Sequence, residues 1–188
     1  YLSNDDVITL YVSGIDTEGT PSTVSRSDVN ILISINTKTH QVIMINTPRD
    51  YYVPLSISHG VKDKLTHAGI YGIDCSMDTL EMLYEVNIDY YVRMNFTGFR
   101  KIVDALGGVT VHSDYDFVTT HGGKHISVGN NTLNGDEALG FARERYAFSD
   151  GDRQRGRNQM EVIKAIFQKM TTTTMLTNYT SILSSKKA

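Results

Sequence analysis

Three runs rich in β-branched residues lie near the start of the chain and restrict it to a fold built on a sheet. Residues 7–14 read VITLYVSG and are bounded by polar, turn-forming residues, which predicts a central strand. Residues 29–35 and 42–45 are two further apolar runs, joined by the six residues NTKTHQ. A linker of that length between two such runs predicts an antiparallel hairpin with a short turn.

The register of this hairpin predicts which polar side chains meet at the end of the sheet. If the turn is centred in the middle of the linker, Asp28 lies opposite Arg49, and a slip of one or two residues leaves both at the same end. Asp16 follows the first strand, and Arg26 lies beside Asp28. These four side chains are therefore expected to face one crevice at the strand ends, where α/β sheets usually bind ligands.

Arginine is concentrated in one short stretch. Five of the nine arginines of the chain lie between residues 143 and 157. A guanidinium binds phosphate through two parallel hydrogen bonds and keeps its charge at all physiological pH values, so the stretch predicts a site for a polyanionic group. A solvated basic face is the alternative interpretation. The five residues are Arg143, Arg145, Arg153, Arg155 and Arg157.

Helical phase favours the binding interpretation for part of this stretch. A helix from Asp152 to about Met170 places Arg155 and Gln159 on the stripe that is apolar further along, at Ile163 and Ile166. A face that buries apolar side chains directs these polar ones into the protein, where they need a ligand or a carboxylate partner. Arg153 and Arg157 fall on a neighbouring face, for which a solvated role fits equally well.

The remaining pattern predicts an α/β chain of one domain, which 188 residues suit. Residues 54–75 lack clean periodicity and are predicted to be irregular, and residues 113–132 are predicted to be a loop. The other predicted elements are helices over 76–85 with Ser76 as a cap, over 99–106 and over 135–146 with Asn134 as a cap, strands over 90–96 and 109–112, and a terminal amphipathic segment over 175–183.

Composition excludes several classes of protein. The net charge of −3 gives no overall attraction to nucleic acid, so the local basic stretch fits a discrete anion better than a long polyanion. A single cysteine, Cys75, excludes an internal disulfide framework and is expected to be a structural thiol. The chain begins at Tyr1 and contains no signal-like segment and no run of 18 apolar residues. It is therefore expected to be an excised domain, and any membrane anchor would lie outside it.

Paired carboxylates and arginines predict phosphate chemistry. A diphosphate is commonly bridged to protein by Mg²⁺ held on one or two carboxylates, here Asp16 and Asp28. Loop capping is the alternative role for both aspartates. The chain has no P-loop, no GxGxxG and no GxSxG elbow.

Several motifs spread over the whole chain carry a family resemblance. They are VSGID ending at Asp16, SRSD of residues 25–28, INTPRD with Arg49, NFTGFRKIVDALGGV of residues 95–109, and LNGDEALGFARERY followed by GDRQRGRNQ. Together they resemble the LytR-CpsA-Psr family of bacterial wall enzymes, and among its members most closely the streptococcal capsule-associated CpsA type.

The resemblance implies a fold, a location and a reaction. It implies one catalytic domain over residues 1–188, with a central mixed β-sheet flanked by helices and a hydrophobic pocket for a prenyl lipid. Family members are anchored in the membrane and act on the extracellular face of the bacterial cytoplasmic membrane. They transfer a glycopolymer, of capsular polysaccharide or teichoic acid type, from a polyprenyl diphosphate carrier to peptidoglycan.

The resemblance also assigns site residues. The Mg²⁺ ligands would be Asp16 and Asp28. The diphosphate-binding residues would be Arg26, Arg49, Arg143, Arg145, Arg155 and Gln159, with Asp152 in support.

The hypothesis is a Mg²⁺-dependent phosphotransferase in which Arg26, Asp28, Arg49 and Arg155 carry catalysis. Arg26 or a nearby aspartate is expected to handle the proton of the attacking hydroxyl. Two alternatives remain open. One is a non-catalytic module that binds the lipid carrier or regulates transcription, and the other is a polyprenyl pyrophosphatase with water as the acceptor.

Overall fold

The computed structural model describes residues 6–20 and 24–170, in two compact units that meet in sequence between Asn95 and Phe96. The predicted amphipathic segment over 175–183 lies outside the described residues. No helix within the described ranges is long and apolar enough to cross a membrane.

A four-stranded mixed sheet forms the centre of the first unit. Its strands are β1 (Val7–Gly14), β2 (Val29–Asn36), β3 (Val42–Asn46) and β6 (Tyr90–Met94), in the order β3-β2-β1-β6. β1 pairs antiparallel with β2 and parallel with β6, and β2 pairs antiparallel with β3. The predictions of a mixed sheet and of a central first strand are confirmed.

The hairpin of β2 and β3 has the predicted register. Ile31 lies opposite Asn46, and Ile35 lies opposite Val42. The side chain of Asn36 closes the turn by accepting hydrogen bonds from the N–H groups of Lys38, at 3.0 Å, and Thr39, at 2.9 Å. A local side-chain bond of this kind fixes the turn length, and the turn length fixes the pairing.

Residues 52–84 contain more regular structure than the sequence predicts. They form β4 (Tyr52–Pro54), β5 (Lys62–Lys64), α1 (Leu65–Ala68) and α2 (Ile73–Tyr84), with one short 3₁₀ helix before β5 and one before α2. β4 pairs antiparallel with β5.

The predicted start of α2 is wrong. The helix begins three residues before Ser76, after Gly72, whose φ of 108° only glycine adopts readily. Ser76 lies inside the helix and is fully buried, so its burial outweighs the preference of serine for a helix start.

α2 packs on the core of the first unit. The core includes Tyr11 and Leu32 of the sheet together with Leu80 and Cys75 of the helix. Cys75 is buried as a free thiol, as predicted. Other apolar residues of α2, Met77 among them, pack against this core, so ordinary packing accounts for them.

Residues 96–170, the described part of the second unit, form three helices and two small antiparallel strand pairs. β7 (Val109–Ser113) pairs with β10 (Gly129–Leu133), and β8 (Phe117–Val118) pairs with β9 (His125–Ile126). The prediction of a loop over 113–132 is therefore wrong in part. β10 reads GNNTL, which has few of the apolar and β-branched residues typical of a strand. It forms a strand because it pairs with β7. The helices are α3 (Phe96–Ala105), α4 (Gly135–Arg143) and α5 (Gly151–Met170).

α4 starts where the sequence predicts and ends earlier. Asn134 accepts a hydrogen bond from the Glu137 N–H at 3.0 Å, and the Glu137 side chain accepts one from the Asn134 N–H at 3.0 Å, which is a complete capping box. The predicted end at residue 146 is wrong. Glu144 adopts an extended backbone with ψ of 132°, so the helix ends at Arg143.

Candidate functional site

The first group of polar residues lies at the end of β1 and the start of β2. Arg49 Nη1 donates a hydrogen bond to Asp28 Oδ1, and the two side chains are 34% and 19% exposed. The Asp28 N–H donates to the Gly14 carbonyl at 2.8 Å, which fixes the aspartate at the strand end. The sequence prediction that Asp28 lies opposite Arg49 is confirmed.

A buried polar cluster supports the backbone beneath Asp28. Ser27 Oγ lies 2.6 Å from Ser13 Oγ and 3.2 Å from the Tyr11 hydroxyl. The Tyr11 hydroxyl donates to Asn30 Oδ1 at 2.7 Å, and Asn30 Nδ2 donates to the Ser27 carbonyl at 3.1 Å. All four side chains are buried, and burial raises the pKa of Tyr11. A cluster of bonded buried polar groups admits few alternative geometries, so it holds the segment before Asp28 in one conformation.

The same segment is also held from its other side. Ser25 N–H donates to the Gly69 carbonyl at 3.1 Å, and Arg93 Nη2 donates to the Ser25 carbonyl at 2.8 Å. Gly69 lies so close that a Cβ there would be 2.3 Å from the Ser25 carbonyl oxygen. Arg26, between these anchored residues, is exposed. The backbone that carries Arg26 is therefore fixed, and its side chain points to solvent.

Asp16 is exposed and follows β1 after Ile15, whose N–H donates to the Met94 carbonyl at 2.9 Å. Within residues 6–20 and 24–170 no group of three or more His, Cys, Asp or Glu side chains is arranged to hold a metal ion. Mg²⁺ typically uses one or two protein carboxylates and completes its shell with substrate phosphates and water. The two aspartates at this strand end fit that pattern, and do not fit a metal caged by protein alone.

The second group of polar residues surrounds the start of α5. Arg155 Nη2 lies 3.2 Å from Asp152 Oδ1, and Arg145 Nη1 lies 4.0 Å from the same oxygen. Asp152 is 73% exposed, whereas Arg155 is 25% exposed. Asp152 therefore pairs closely with Arg155, whereas Arg145 lies at the limit of an ion-pair distance from it.

Arg143 and Arg145, which lie shortly before α5 in sequence, each contact an aromatic ring. The guanidinium of Arg143 lies over the Phe96 ring, 4.3 Å from its centroid, and that of Arg145 lies 4.8 Å from the centroid of Tyr146. Arg145 Nη2 also donates to the Tyr146 hydroxyl at 2.7 Å. Stacking on a ring restrains a guanidinium while leaving in-plane N–H groups for a ligand.

α5 has the predicted amphipathic phase, and it carries one further buried polar residue, Asn158. Ile163 is 7% exposed, while Arg155 and Gln159 are half-buried at the polar end of the same helix. Arg153, on the neighbouring face, is 72% exposed and pairs with Asp150 at 3.3 Å. Asn158 was not predicted as a site residue; it is buried and donates from Nδ2 to the Phe141 carbonyl at 3.2 Å.

Glu144 was also not predicted as a site residue, and it is fully buried. Its Oε1 accepts hydrogen bonds from three consecutive N–H groups, those of Arg145 at 3.0 Å, Tyr146 at 2.8 Å and Ala147 at 3.1 Å. Its two oxygens also accept from the Thr120 N–H and hydroxyl. Burial alone would raise the pKa of Glu144, but these hydrogen bonds outweigh it and lower the pKa below its usual value of 4.5.

This pKa predicts how stability depends on pH. Because the folded-state pKa lies below the unfolded-state pKa, the ionised carboxylate stabilises the fold above pH 4.5, and the contribution is lost as pH falls through the folded-state value. Wild type is expected to exceed Glu144→Gln in unfolding free energy by about 1–3 kcal/mol at pH 7, and by less at pH 3.5. Urea denaturation at both pH values measures the difference. A difference that does not change with pH would contradict the assignment.

A family comparison identifies the chain. The family model LytR_cpsA_psr matches residues 2–188. The chain belongs to the LytR_cpsA_psr family. Within it, the polyisoprenyl-teichoic acid–peptidoglycan teichoic acid transferase TagU of Bacillus cereus is 37% identical over 183 residues, which cover 97% of this chain and 59% of TagU. The corresponding TagU of Enterococcus faecalis is 34% identical over 185 residues, which are 60% of its length.

Solved structures of the LytR_cpsA_psr family share the fold. Protein gbs0355 from Streptococcus agalactiae superposes with a TM-score of 0.83 at 29% identity, covering 96% of this chain and 66% of that one. YwtF (TagT) with bound octaprenyl pyrophosphate lipid superposes with a TM-score of 0.73 at 33% identity, covering 94% and 73%. These comparisons confirm the predicted family and fold class. The finer prediction of a CpsA type stays a prediction.

Proposed function

We propose that this chain transfers a glycopolymer from a polyprenyl diphosphate carrier to peptidoglycan. The observation that carries the proposal is the pair of pre-oriented cationic groups, Arg49 on Asp28 and Arg145 with Arg155 on Asp152. Both groups occur in a chain 37% identical to a teichoic acid transferase. Since the chain spans about 59% of that relative, the activity is inferred for the matched part.

The proposed ligand of these arginines is the diphosphate, because a guanidinium binds phosphate through two parallel hydrogen bonds. Arg26, Arg49, Arg143, Arg145, Arg155 and Gln159 supply its hydrogen-bond donors, and Asp152 supports Arg155. The arginines neutralise the charge of the ground state and stabilise the charge that develops on the leaving prenyl phosphate. Asp28 holds Arg49 and Asp152 holds Arg155 in place before the substrate arrives, so little reorganisation of these two side chains is needed during the reaction.

The reaction exchanges one phosphorus–oxygen bond for another. A sugar hydroxyl of peptidoglycan attacks the phosphorus that carries the glycopolymer, and the bond from that phosphorus to the bridging oxygen breaks. The products are a glycopolymer joined to peptidoglycan by a phosphodiester, and prenyl monophosphate. An aspartate beside Arg26, such as Asp28, takes the hydroxyl proton, because the guanidinium of Arg26 stays protonated and can only donate hydrogen bonds. Asp16 and Asp28 would hold Mg²⁺, which when bound offsets the negative charge of the phosphates.

The carrier's prenyl chain is proposed to occupy a hydrophobic pocket, because the related YwtF (TagT) structure contains octaprenyl pyrophosphate lipid. Burial of a long prenyl chain at about 25 cal/mol per Å² would contribute much of the affinity. We propose that the reaction takes place on the extracellular face of the cytoplasmic membrane, where lipid-linked polymer and peptidoglycan meet. The polymer is of teichoic acid or capsular type.

Product analysis tests the proposal and separates it from hydrolysis. The chain is incubated with a prenyl-diphosphate-linked glycan, Mg²⁺, and either a peptidoglycan fragment or buffer. We expect a glycan–peptidoglycan phosphodiester and prenyl monophosphate only when the acceptor is present. Release of glycan phosphate at equal rates with and without acceptor would show a pyrophosphatase instead. Binding of the lipid without any turnover would show a carrier-binding module.

A regulatory role is the second candidate, because a related solved structure from E. faecalis is described as a transcriptional regulator, with a TM-score of 0.78 at 27% identity. The net charge of −3 opposes direct binding to DNA. Salt-dependent retardation of duplex DNA in a gel assay would favour this role over transfer.

A further inference from the structure

Glu144 is a buried carboxylate to which the proposed reaction gives no role. It is fully buried, and it immediately follows α4. A buried ionised group is costly unless its oxygens are bonded. Here the bonds come from two places, the 145–147 turn and Thr120. Glu144 therefore ties the turn that begins with Arg145 to the segment between β8 and β9.

The turn beyond Glu144 has little freedom at Arg145. The N–H of Arg145 is bonded to Glu144 at 3.0 Å, and its carbonyl accepts from the Phe148 N–H at 3.3 Å. Gly151 packs against the same carbonyl, since a Cβ there would lie 2.3 Å from the oxygen. Both polar groups of the Arg145 backbone are thus engaged, and Glu144 holds the N–H side.

We propose that Glu144 is a positioning residue for the diphosphate. By binding three consecutive N–H groups of the 145–147 turn, it fixes the backbone from which Arg145 extends toward Asp152 and the ligand. This inference rests on the proposed function, in which Arg145 binds the diphosphate. It adds that the affinity of the site depends on a side chain that does not touch the ligand.

The geometry explains why a carboxylate suits this position. A single oxygen, Oε1, accepts from the N–H groups of Arg145, Tyr146 and Ala147, and a full negative charge strengthens all three bonds at once. The other oxygen accepts from the Thr120 N–H. A glutamine would place an amide N–H₂ against one of these donors. Glutamine therefore cannot accept hydrogen bonds from both the 145–147 turn and the Thr120 N–H.

A double-mutant cycle with Arg145 tests the inference. Glu144→Ala, Arg145→Ala and the double variant are titrated with octaprenyl diphosphate in detergent micelles. We expect Glu144→Ala to weaken binding about tenfold in the wild-type background and less than about twofold in the Arg145→Ala background, because a residue that acts through another loses its effect when that other is absent. Equal losses in both backgrounds would overturn the inference.

Thr120→Val is the matched control for a merely structural role. It removes the hydroxyl bond to the Glu144 carboxylate and keeps the three bonds to the turn. We expect lower stability in denaturation and binding within about twofold of wild type. A loss of binding as large as that of Glu144→Ala would overturn the inference, since stability alone would then account for both variants.

Further outcomes distinguish a failure of the role of Glu144 from a failure of the proposed function. If Glu144→Ala does not fold, the cycle is repeated with Glu144→Gln, for which we expect a loss of about threefold or more that again disappears with Arg145→Ala. A wild-type chain that does not bind the lipid would overturn the proposed function and this inference with it. Additive losses in a chain that does bind would overturn the inference alone.

Discussion

Replacing Arg155 with alanine is expected to lower kcat/KM for glycopolymer transfer by about 10²–10³. Arg155 is 25% exposed and its guanidinium is held 3.2 Å from Asp152. A donor that is oriented before the substrate binds loses little free energy to reorganisation, so its removal costs most of its contribution to the transition state. Arg155→Lys keeps the charge and loses the planar pair of donors. Its kcat/KM is expected to lie between those of Arg155→Ala and wild type.

Arg153→Ala is the matched control for that prediction. It removes the same charge two residues away on the same helix, from a side chain that is 72% exposed and pairs with Asp150. We expect transfer within about threefold of wild type, because exposed ion pairs contribute little. The measurement is the initial rate of transfer at subsaturating lipid. Equal losses in the two variants would show that only the net charge of the helix start matters.

Asp28→Asn is expected to reduce transfer by about 100-fold or more. Asp28 is 19% exposed, carries the ion pair with Arg49 and is one of two proposed Mg²⁺ ligands. The amide keeps the shape of the side chain but removes its charge, so the alignment of Arg49 and the affinity for Mg²⁺ weaken together. The Mg²⁺ concentration for half-maximal rate is expected to rise in Asp28→Asn and in Asp16→Asn.

Asp50→Asn separates this effect from a general loss of negative charge. Asp50 is 58% exposed and pairs with Lys64 at 2.8 Å, and its second oxygen lies 3.9 Å from Arg49 Nε, a weaker contact than the one Asp28 makes. Its variant is expected to keep the wild-type Mg²⁺ requirement and a rate within about threefold of wild type. A Mg²⁺ requirement unchanged in Asp16→Asn and Asp28→Asn would remove the metal from the proposal and leave the arginines in place.

The sheet was predictable because its signals are local. The β-branched runs of β1 and β2 mark strands whatever surrounds them, and the linker length sets the register of the hairpin. That register alone placed Asp28 opposite Arg49, and the structure has the ion pair. β10 was missed because GNNTL is a strand only through its pairing with β7, which depends on contacts distant in sequence.

Burial of polar groups was the least predictable part of the site. The stretch RERY continues a helical pattern, so nothing in it indicates that Glu144 ends α4 and is fully buried. Ser27 and Asn158 were missed for the same reason, since their partners come from other elements. Residues that contact a ligand follow recognisable charge patterns, whereas residues that hold them in place are fixed by tertiary packing.

The proposed function depends on the claim that oriented arginines of this chain bind a lipid-linked diphosphate. The most direct measurement is a parallel titration of the wild-type chain with octaprenyl diphosphate and octaprenyl monophosphate in the same micelles. Because the second phosphate adds charge-assisted hydrogen bonds to several guanidiniums, the diphosphate is expected to bind about tenfold or more tightly than the monophosphate, and the difference should shrink in Arg155→Ala. Equal affinity for the two lipids would contradict the claim.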